Sequence, residues 1–339
     1  MSQPRICVDA MGGDHAPANP VEGAVAAARE LGVAITLVGI EDEVRKHLQR
    51  VGTDGLSVEV VHAPEVVAMD EDVLTALRKK RGSSIRVGAT LLKEGRVDGF
   101  VSAGNTGAVM ATVKTVAGSI EGVDRPALAT IVPTLSGHAV LIDVGANVNC
   151  KPRHLEQFAI MGSIYAREIL GVKSPRVGLM SVGEEESKGN ELTKEVFKVL
   201  KDADLNFIGN AEGRDVYNGN MDVIVCDGFT GNVVLKVSES LIEAVGSLLR
   251  REIEKSSLAK LGYLLSRPAF TRFKKRVDYS EYGGAPLLGI KGVCIICHGR
   301  SPAKAIRNAV RIAGEFVQMR IAERIHTDIE RTFRKDDTR

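Results

Sequence analysis

The sequence contains no tryptophan among its 339 residues, and only 4% of its residues are aromatic. A platform for stacking nucleic-acid bases needs aromatic side chains, so none is expected here. Neither sign of charge dominates, because 45 Lys and Arg residues stand against 43 Asp and Glu residues and the net charge is +2. Domains that bind nucleic acid are usually strongly basic, so this balance argues against nucleic acid as the main partner.

Long apolar runs are also missing, since the sequence has no uncharged stretch of about 18 apolar residues, the length of a membrane-spanning helix. No basic segment followed by an apolar one opens it, which argues against a secretion signal. The five cysteines, at positions 7, 150, 226, 294 and 297, lie mostly in or beside apolar runs, a pattern typical of a reducing cytoplasm. Cys294 and Cys297 lack the second pair that a metal site needs, and we interpret them as buried strand residues. The sequence predicts a soluble cytoplasmic protein without a metal.

Three common catalytic motifs do not occur. No Gly-x-Gly-x-x-Gly follows a strand, and no Gly-x4-Gly-Lys-Ser/Thr is present, so the usual anchors for dinucleotides and nucleoside triphosphates are missing. No Gly-x-Ser-x-Gly turn is present either, which disfavours a serine acyl-enzyme. The sequence therefore offers no obvious covalent nucleophile.

Strand-like and helix-like segments alternate along most of the chain. This alternation predicts an α/β fold with a doubly wound, mainly parallel sheet covered on both faces. With 44% apolar residues, the chain can form one domain over residues 1–330, followed by a polar tail at 331–339. Two apolar runs between Pro126 and Gly145 have no helix between them and predict a small antiparallel hairpin. The predicted helices include 21–31, 41–51, 84–94, 106–116, 154–170, 190–200 and 301–323.

The first predicted strand runs directly into a dense group of polar residues, Asp9-Ala-Met-Gly12-Gly13-Asp14-His15. Paired glycines allow a backbone to approach a ligand closely. In open α/β sheets, ligands bind at the carboxyl ends of strands, which is where this segment falls. Taken alone, the segment is equally compatible with a ligand site and with a surface turn.

Two later segments resemble one another, each with a strand followed by Gly-x-Thr-Gly and a helix. We expect the threonine to cap the helix and the glycines to expose its first amides, an arrangement that favours an anion. Because the motif occurs twice, we interpret the two copies as parts of a shared ligand-binding face. The copies comprise Ser102, Gly104, Asn105, Thr106 and Gly107, and Asp227, Gly228, Thr230, Gly231 and Asn232.

Two more polar segments follow predicted strands. One contains Asp143 and Asn147, and the other contains the acidic run 184–186 and Lys188. The acidic run is equally compatible with a solvated loop. Lys188 stands beside a glycine and an asparagine that open a helix, and it is the better candidate for an anion ligand.

Two segments are strongly basic. Residues 250–276 carry nine positive charges against two glutamates, with leucine and aromatic residues between them. A helix pair of this kind fits a core-covering or dimer-forming role and equally a reversible contact with an anionic membrane surface. The second run, Arg78-Lys79-Lys80-Arg81, fits either the steering of an acidic partner or a solvated face.

Together these motifs resemble the bacterial phosphate acyltransferase (PlsX) family of phospholipid synthesis, from the first strand to about residue 325. Gly82 stands where the resemblance predicts an acidic residue. The segments that carry the resemblance are Val8–Pro17, Arg78–Ser84, Ser102–Gly107, Asp143–Asn147 and Asp227–Asn232.

The resemblance implies a fold like that of phosphotransacetylases and isocitrate-type dehydrogenases, and a homodimer. It implies reversible transfer of a long acyl chain from acyl carrier protein to inorganic phosphate, without a cofactor. The acyl phosphate product would pass to a membrane acyltransferase that acts on glycerol 3-phosphate, so the protein would contact the inner face of the cell membrane. The protruding helices of the family match residues 240–280, with membrane contact expected at Leu258, Leu261, Leu264, Leu265, Lys274 and Lys275.

The residues fit this chemistry. Phosphate is already an anionic nucleophile, and a thiol with a pKa of roughly 8.5 leaves as thiolate without a strong acid. Most of the catalytic demand is therefore electrostatic. We expect catalytic roles for Asn105, Lys188, Asn232, Asp227 and His15, although His15 is equally compatible with a surface turn. We expect phosphate or substrate contacts from Asp9, Gly12, Gly13, Asp14, Ser102, Gly104, Thr106, Gly107, Asp143, Asn147, Gly228, Thr230 and Gly231, and carrier-protein docking at Arg78, Lys79, Lys80 and Arg81.

Two other functions remain open on the sequence alone. A dehydrogenase of the isocitrate type would need a nicotinamide site and usually a metal held by aspartates. A non-catalytic adaptor for lipid surfaces would use residues 250–276 alone.

Overall fold

The computed structural model describes residues 3–277 and 279–336, and within them the chain forms one sheet of eleven strands with helices on both faces. The strands are β1 Arg5–Asp9, β2 Ala34–Gly39, β3 Val58–His62, β4 Gly99–Ser102, β5 Ala127–Pro133, β6 His138–Ile142, β7 Val177–Met180, β8 Phe207–Ala211, β9 Val223–Val225, β10 Ala285–Leu288 and β11 Val293–Ile296. The helices are α1 Ala18–Leu31, α2 Glu41–Val51, α3 Val73–Lys79, α4 Ser84–Lys93, α5 Thr106–Val116, α6 Pro152–Glu168, α7 Glu191–Asp202, α8 Asp215–Asn218, α9 Gly228–Glu254, α10 Ser257–Val277, α11 Ala303–Gln318 and α12 Ile321–Asp336, with a 3-10 turn at Tyr279–Tyr282.

The strand order is β3-β2-β1-β4-β11-β10-β5-β6-β9-β7-β8. The strands on each side of the centre pair in parallel, as the alternating pattern predicts. The three central pairings, β11 with β10, β10 with β5 and β5 with β6, are antiparallel. Because of these reversals, β1, β4 and β11 run in one direction, whereas β6, β9 and β7 run in the other.

Each face of the sheet carries its own apolar core. On one face, α1, α6 and α11 contribute Val21, Phe158 and Ile306 to a large buried cluster. On the other face, α4 and α5 contribute Ile85 and Val109, and α9 adds two partly buried residues, Val234 and Leu235. Helices α5 and α9 therefore lie on the same face of the sheet.

Most predicted elements are present within one to three residues of their predicted bounds, but the predicted helix 301–323 is wrong. The chain breaks after α11 at Arg320, whose φ of 55° is left-handed and cannot continue a right-handed helix. A second helix, α12, then runs to Asp336, so residues 331–336 of the predicted polar tail are helical. Phe333 in this helix lies under the guanidinium of Arg153, 4.4 Å from it. Residues 337–339 lie outside the described residues.

Helices α9 and α10 extend away from the rest of the chain as a pair. Helix α9 has 27 residues and is therefore about 40 Å long at 1.5 Å per residue. Beyond residue 239 its side chains are almost all exposed, as are those of α10. Within the part of the chain that the structure describes, no helix is long and apolar enough to cross a membrane.

Candidate active site

Asp9 lies at the end of β1 and is buried. It accepts hydrogen bonds from the Ser102 hydroxyl, at 2.7 Å, and from the backbone N–H of Met11, at 3.0 Å. Burial raises the pKa of Asp9, and hydrogen bonds from Ser84 and Ser102 oppose that shift. Asp9 therefore ties the loop after β1 to the ends of β4 and α4, and its carboxylate is turned inward.

The two glycines after Asp9 allow neighbouring loops to approach closely. A Cβ at Gly12 would lie 2.7 Å from the backbone nitrogen of Gly104, and one at Gly13 would lie 2.8 Å from the carbonyl oxygen of Gly299. Gly13 also has a left-handed φ of 99°. The close approach of neighbouring loops therefore requires glycine at both positions, and this packing accounts for the pair without any contact to a ligand.

Helix α5 begins at Thr106 and is capped by Asn105, not by the threonine that the sequence predicts. The Asn105 side-chain oxygen accepts from the N–H of Ala108, at 3.0 Å. Within the described residues, the N–H groups of Thr106 and Gly107 have no hydrogen-bond partner. This helix start therefore offers two free donors in the orientation that favours an anion.

The Asn105 side chain has a second function in the fold. Its amide nitrogen donates to the carbonyl oxygens of Met69 and Glu71, at 2.9 and 3.0 Å. Both amide hydrogens are used, so in this conformation Asn105 holds the segment 69–71 over the start of α5.

His298 is a functional candidate that the sequence analysis missed. It follows β11, whose carboxyl end lies beside that of β4, since Cys297 N donates to Ser102 O at 2.8 Å. The signal was present in the sequence, because a polar segment, His298-Gly-Arg-Ser301, follows the strand that contains Cys294 and Cys297. By contrast, Asp14 and His15 are exposed at the turn before α1. We refer to these side chains around the ends of β1, β4 and β11 as the Asp9 group.

Asp143 is the centre of a second polar group, beyond the end of β6. Its side chain is fully buried and accepts five hydrogen bonds of 2.7–3.2 Å. Burial raises the pKa of Asp143, and hydrogen bonds from Ala146, Asn147 and Leu128 oppose that shift. Asn147 is buried as well and also donates to the carbonyl oxygen of Pro126. The polar atoms of Asp143 and Asn147 are therefore occupied by this loop and by β5, and a direct contact with substrate stays a prediction.

Helix α9 is capped by Asp227, which accepts from the N–H groups of Phe229 and Thr230 and from the Thr230 hydroxyl. The N–H of Gly228 donates to Asn147. The N–H groups of Gly228, Phe229 and Thr230 are therefore occupied, and an anion site at this helix start stays a prediction. The second copy of the repeated motif starts its helix two residues earlier than the first, which is why the two copies differ.

Asn232 and Lys188 are the accessible polar side chains of this second group, which we call the Asp143 group. Asn232 is exposed and faces Gly145, where an added Cβ would lie 3.8 Å from its side chain. Lys188 is exposed in the loop after β7, and within the described residues it forms no ion pair. In the same loop Glu184 pairs with Arg214 and Glu186 pairs with Lys201, as expected of a solvated loop.

The two groups do not form a single cluster, which corrects the prediction of one shared face at aligned strand ends. The end of β4 and the end of β6 are four strand spacings apart, about 19 Å along the sheet. Helix α9 links them, because Asp227 belongs to the Asp143 group and Lys236 lies within electrostatic range of His298. Asp227 and Lys236 are nine residues apart along α9, which corresponds to a rise of about 14 Å. Helix α9 therefore runs from the Asp143 group towards the Asp9 group.

The basic run lies at the end of α3, close to α5. Arg78, Lys79 and Arg81 are exposed and available to a partner. Lys80 is not, because its ammonium group donates to Val66 O and to the Glu71 carboxylate, both at 2.6 Å. Gly82 stands where the resemblance predicts an acidic residue, but a carboxylate is still present beside it. The Glu65 carboxylate accepts a hydrogen bond from the N–H of Gly82 at 2.6 Å.

The residues predicted to contact a membrane divide into two places. Leu258, Leu261, Leu264 and Leu265 are exposed in the half of α10 near its junction with α9. Lys274 and Lys275 lie at the other end of α10, next to Arg276, which donates to the carbonyl oxygens of Thr134 and Leu135. The leucines are therefore at the tip of the helix pair and the two lysines at its base.

A cavity of about 580 Å³ is remote from both groups. It lies near the β5–β6 turn and the end of α6, and its charged residues are paired with one another, Arg176 with Asp222 and Arg311 with Glu315. The accessible residues of the two groups therefore lie outside this cavity. Cys294 and Cys297 are buried strand residues, and burial raises the pKa of Cys297 to about 12.

Residues 4–324 match the family model described as fatty acid synthesis protein. The chain is 56% identical over 329 residues to the phosphate acyltransferase of Geotalea uraniireducens, covering 97% of this chain and 95% of the relative. It is 55% identical to the phosphate acyltransferase of Geobacter sulfurreducens with the same coverage. The chain belongs to the phosphate acyltransferase family. As a member of this family it is an acyltransferase enzyme.

The fold is similar to that of a phosphotransacetylase from Streptococcus pyogenes. The TM-score is 0.61 at 16% sequence identity, and the alignment covers 93% of this chain and 94% of the other. A branched-chain phosphotransacylase from Enterococcus faecalis gives a TM-score of 0.59 at 12% identity, with 93% and 99% coverage. At such low identity these comparisons establish the α/β architecture alone. The expected likeness to isocitrate-type dehydrogenases stays a prediction.

Proposed function

We propose that this chain transfers a long-chain acyl group from acyl carrier protein to inorganic phosphate and so produces acyl phosphate for phospholipid synthesis. The observation that carries the proposal is the match, over 97% of the chain, to relatives named phosphate acyltransferase. The accessible residues of the Asp9 and Asp143 groups support it, because they include anion-binding donors and the sequence has no Gly-x-Ser-x-Gly motif of a serine acyl-enzyme.

The reaction needs positioned donors more than it needs a strong base. A phosphate oxygen attacks the thioester carbon, a carbon–oxygen bond forms, and the carbon–sulfur bond breaks as the carrier leaves as thiolate. The transition state carries negative charge on phosphate and on the carbonyl oxygen, and fixed N–H donors stabilise such charge. Phosphate is the nucleophile and attacks the thioester directly from its binding site on the chain, so the reaction needs no covalent acyl-enzyme.

We assign the phosphate to the start of α5, where the N–H groups of Thr106 and Gly107 are free. The Asp9 group holds this helix start in place through Ser102 and Gly104. Asn232 and Lys188, in the Asp143 group, are exposed and accessible to the extended acyl-carrier arm. Asp227 supports them as the cap of α9.

The same proposal includes three partners. Exposed Arg78, Lys79 and Arg81 provide a basic surface beside α5 for an acidic carrier protein. The exposed apolar side of α9, with Leu241 and Leu248, needs a cover, and a second copy of the chain would supply it as a homodimer. The tip of the helix pair contacts the inner face of the cell membrane, close to the membrane acyltransferase that uses the product with glycerol 3-phosphate.

The test is to incubate the protein with palmitoyl-loaded acyl carrier protein and to follow release of the carrier thiol. We expect release only when phosphate is present, with formation of palmitoyl phosphate. Release without phosphate would indicate a thioesterase, and no release would overturn the proposal. Reduction of a nicotinamide cofactor by a hydroxy acid would instead indicate a dehydrogenase.

A further inference from the structure

We propose that Arg125, His154, Lys151 and Lys114 form a binding site for a phosphate group, beside the Asp143 group. The inference rests on the proposed function and locates a further part of its substrates. Those substrates carry two such groups, inorganic phosphate and the phosphodiester that joins the acyl arm to its carrier protein. Because inorganic phosphate is assigned to the start of α5, we expect the phosphodiester of the arm here, and the test separates the two sources.

The backbone around Arg125, just before β5, is fixed from both sides. The N–H of Asp124 donates to the side-chain oxygen of Gln157 in α6, at 2.9 Å. The carbonyl oxygen of Pro126 accepts from the side-chain nitrogen of Asn147, at 2.8 Å. Since its two chain neighbours are bonded to residues 157 and 147, Arg125 lies beside the segment between them, where α6 begins.

Arg125 is a half-buried cation without a partner. Within the described residues, its guanidinium forms neither an ion pair nor a hydrogen bond. Arginine is seldom buried unless its charge is paired, and its planar guanidinium matches the geometry of a phosphate group. Arg125 therefore has donors suited to phosphate and no protein group that uses them.

His154, in the first turn of α6, supplies a second and independent observation, because its side chain is only 5% exposed. Its Nδ1 accepts from the backbone N–H of Lys151, at 3.1 Å, so in the neutral imidazole the hydrogen is on Nε2. In the part of the chain that the structure describes, Nε2 has no hydrogen-bond partner. Donors this deeply buried are normally paired, so the unused one indicates a ligand at this helix start, where the dipole also favours an anion.

The charges that face His154 are mostly positive. Burial lowers the pKa of His154, and the positive charge of Arg125 lowers it further. Lys151 and Lys114 act in the same direction, whereas Asp124 raises the pKa. His154 is therefore neutral near pH 7 and surrounded by cations.

The nearby carboxylate does not neutralise these cations. Asp124 is paired with Arg153, whose Nε lies 3.3 Å from Oδ2. Lys151 is exposed just before α6, and Lys114 is exposed in the last turn of α5. Among the described residues neither lysine forms an ion pair, so both remain available to an anion.

The site adjoins the Asp143 group. The pKa of the Cys150 thiol is raised by burial and by Asp143 and Asp227, and it is lowered by Arg125, so all three charges lie within range of one sulfur atom. The oxygen atoms of both aspartates already accept hydrogen bonds. A phosphodiester held by Arg125 therefore leaves the rest of the arm beside the group that contains Asn232.

The first test measures binding with two probes that differ only in a phosphate group, 4′-phosphopantetheine and pantetheine, by isothermal titration calorimetry. We expect wild type to bind phosphopantetheine at least about tenfold more tightly than pantetheine, because hydrogen bonds between charged groups are strong. In Arg125→Gln the two affinities should agree within about twofold. The melting temperature should stay within about 2 °C of wild type, since the guanidinium has no protein partner to lose.

Titration with inorganic phosphate separates the two sources. If wild type does not distinguish the two probes but Arg125→Gln binds inorganic phosphate more weakly, the site exists and its occupant is inorganic phosphate. Equal affinities of wild type and Arg125→Gln for phosphopantetheine and for inorganic phosphate would overturn the inference.

Kinetics give a second readout. For Arg125→Gln we expect the KM for palmitoyl-loaded carrier protein to rise at least about tenfold with kcat within about threefold, because an interaction made equally in the ground and transition states affects KM alone. Lys151→Gln should shift the same KM in the same direction by a smaller factor. An unchanged KM for both the carrier protein and phosphate in Arg125→Gln would contradict the proposal.

Lys173→Gln is the matched control for Lys151→Gln. Lys173 is exposed beyond the other end of α6, and it too forms no ion pair within the described residues. We expect wild-type binding and wild-type KM values from it. If wild type releases no thiol, the proposed function fails, whereas the binding measurements still decide whether the phosphate site exists.

Discussion

At the scale of single residues, buried aspartates shape the loops and exposed residues are left for the substrate. Asp9 and Asp143 both follow strands, and both would be read from sequence as ligands. Their oxygen atoms instead accept hydrogen bonds from their own loops and from a neighbouring strand, through Ser102 to Asp9 and Leu128 to Asp143. The sequence predicts that both segments follow strands, but it could not show which polar atoms are already occupied, since that depends on contacts across the sheet.

Because the buried carboxylate of Asp143 accepts five hydrogen bonds, we predict that Asp143→Asn destabilises the fold. An asparagine would turn one amide group toward the backbone N–H and side-chain NH₂ of Asn147, where donors would face donors. A buried donor left without a partner costs about 1–3 kcal/mol, so we expect a loss of about 2–4 kcal/mol in the free energy of unfolding by urea denaturation.

Asp227→Asn is the matched control for this effect. One carboxylate oxygen of Asp227 accepts from two backbone N–H groups, and the other accepts from the Thr230 hydroxyl. In Asp227→Asn the amide oxygen can keep the two backbone bonds, and the amide NH₂ can donate to the Thr230 hydroxyl. Asn and Asp are similar as helix caps, so the expected change is below about 0.5 kcal/mol. Equal losses in the two variants would show that the five-donor arrangement of Asp143 has no special importance.

At the scale of elements, strand and helix segments were predictable because their apolar patterns are local. The relative direction of the two halves of the sheet was not. It depends on the antiparallel pairing of β10 with β5 and β11, and the segment Ala285–Leu288 was not recognised as a strand. The same omission led to the expectation that the two copies of the repeated motif lie side by side, whereas β4 and β9, the strands that precede α5 and α9, are five strand spacings apart, about 24 Å, and run in opposite directions.

Asn105 connects two elements, and its dual role can be tested with Asn105→Asp. The aspartate keeps the cap of α5, but it cannot donate to the carbonyl oxygens of Met69 and Glu71. We expect backbone amides of residues 67–72 to exchange hydrogen at least about tenfold faster, with α5 unchanged, since local opening depends on such contacts.

Asn190→Asp provides the comparison for that experiment. Asn190 caps α7 by accepting from the N–H of Thr193, so the substitution preserves the bond that matters. Its exchange pattern should match wild type. Unchanged exchange at residues 67–72 in Asn105→Asp would mean that Lys80 and Glu71 hold the segment without help from Asn105.

At the scale of the whole molecule, the helix pair is the feature least explained by the chain's own core. The sequence predicted an amphipathic basic segment at 250–276, but it could not show how cations and leucines are distributed along the pair. In the structure Arg251 and Lys260 lie near the tip with the leucines, and Lys274 and Lys275 lie near the sheet. We therefore propose that the membrane contact is made by the tip, with Arg251 and Lys260 in place of the predicted Lys274 and Lys275.

The resulting prediction concerns vesicles that contain anionic phosphatidylglycerol. Leu258 and Leu265 are 78% and 77% exposed, and their replacement in Leu258→Asp/Leu265→Asp removes apolar contact and adds negative charge. We expect at least about tenfold weaker co-sedimentation with vesicles, because each buried methylene contributes about 0.8 kcal/mol. Phosphate-dependent thiol release and the sedimentation coefficient should be unchanged, since the tip of the helix pair lies far from the Asp9 and Asp143 groups. Lys274→Gln/Lys275→Gln should bind vesicles within about twofold of wild type, and the opposite ranking of the two variants would place the membrane contact at the base of the pair.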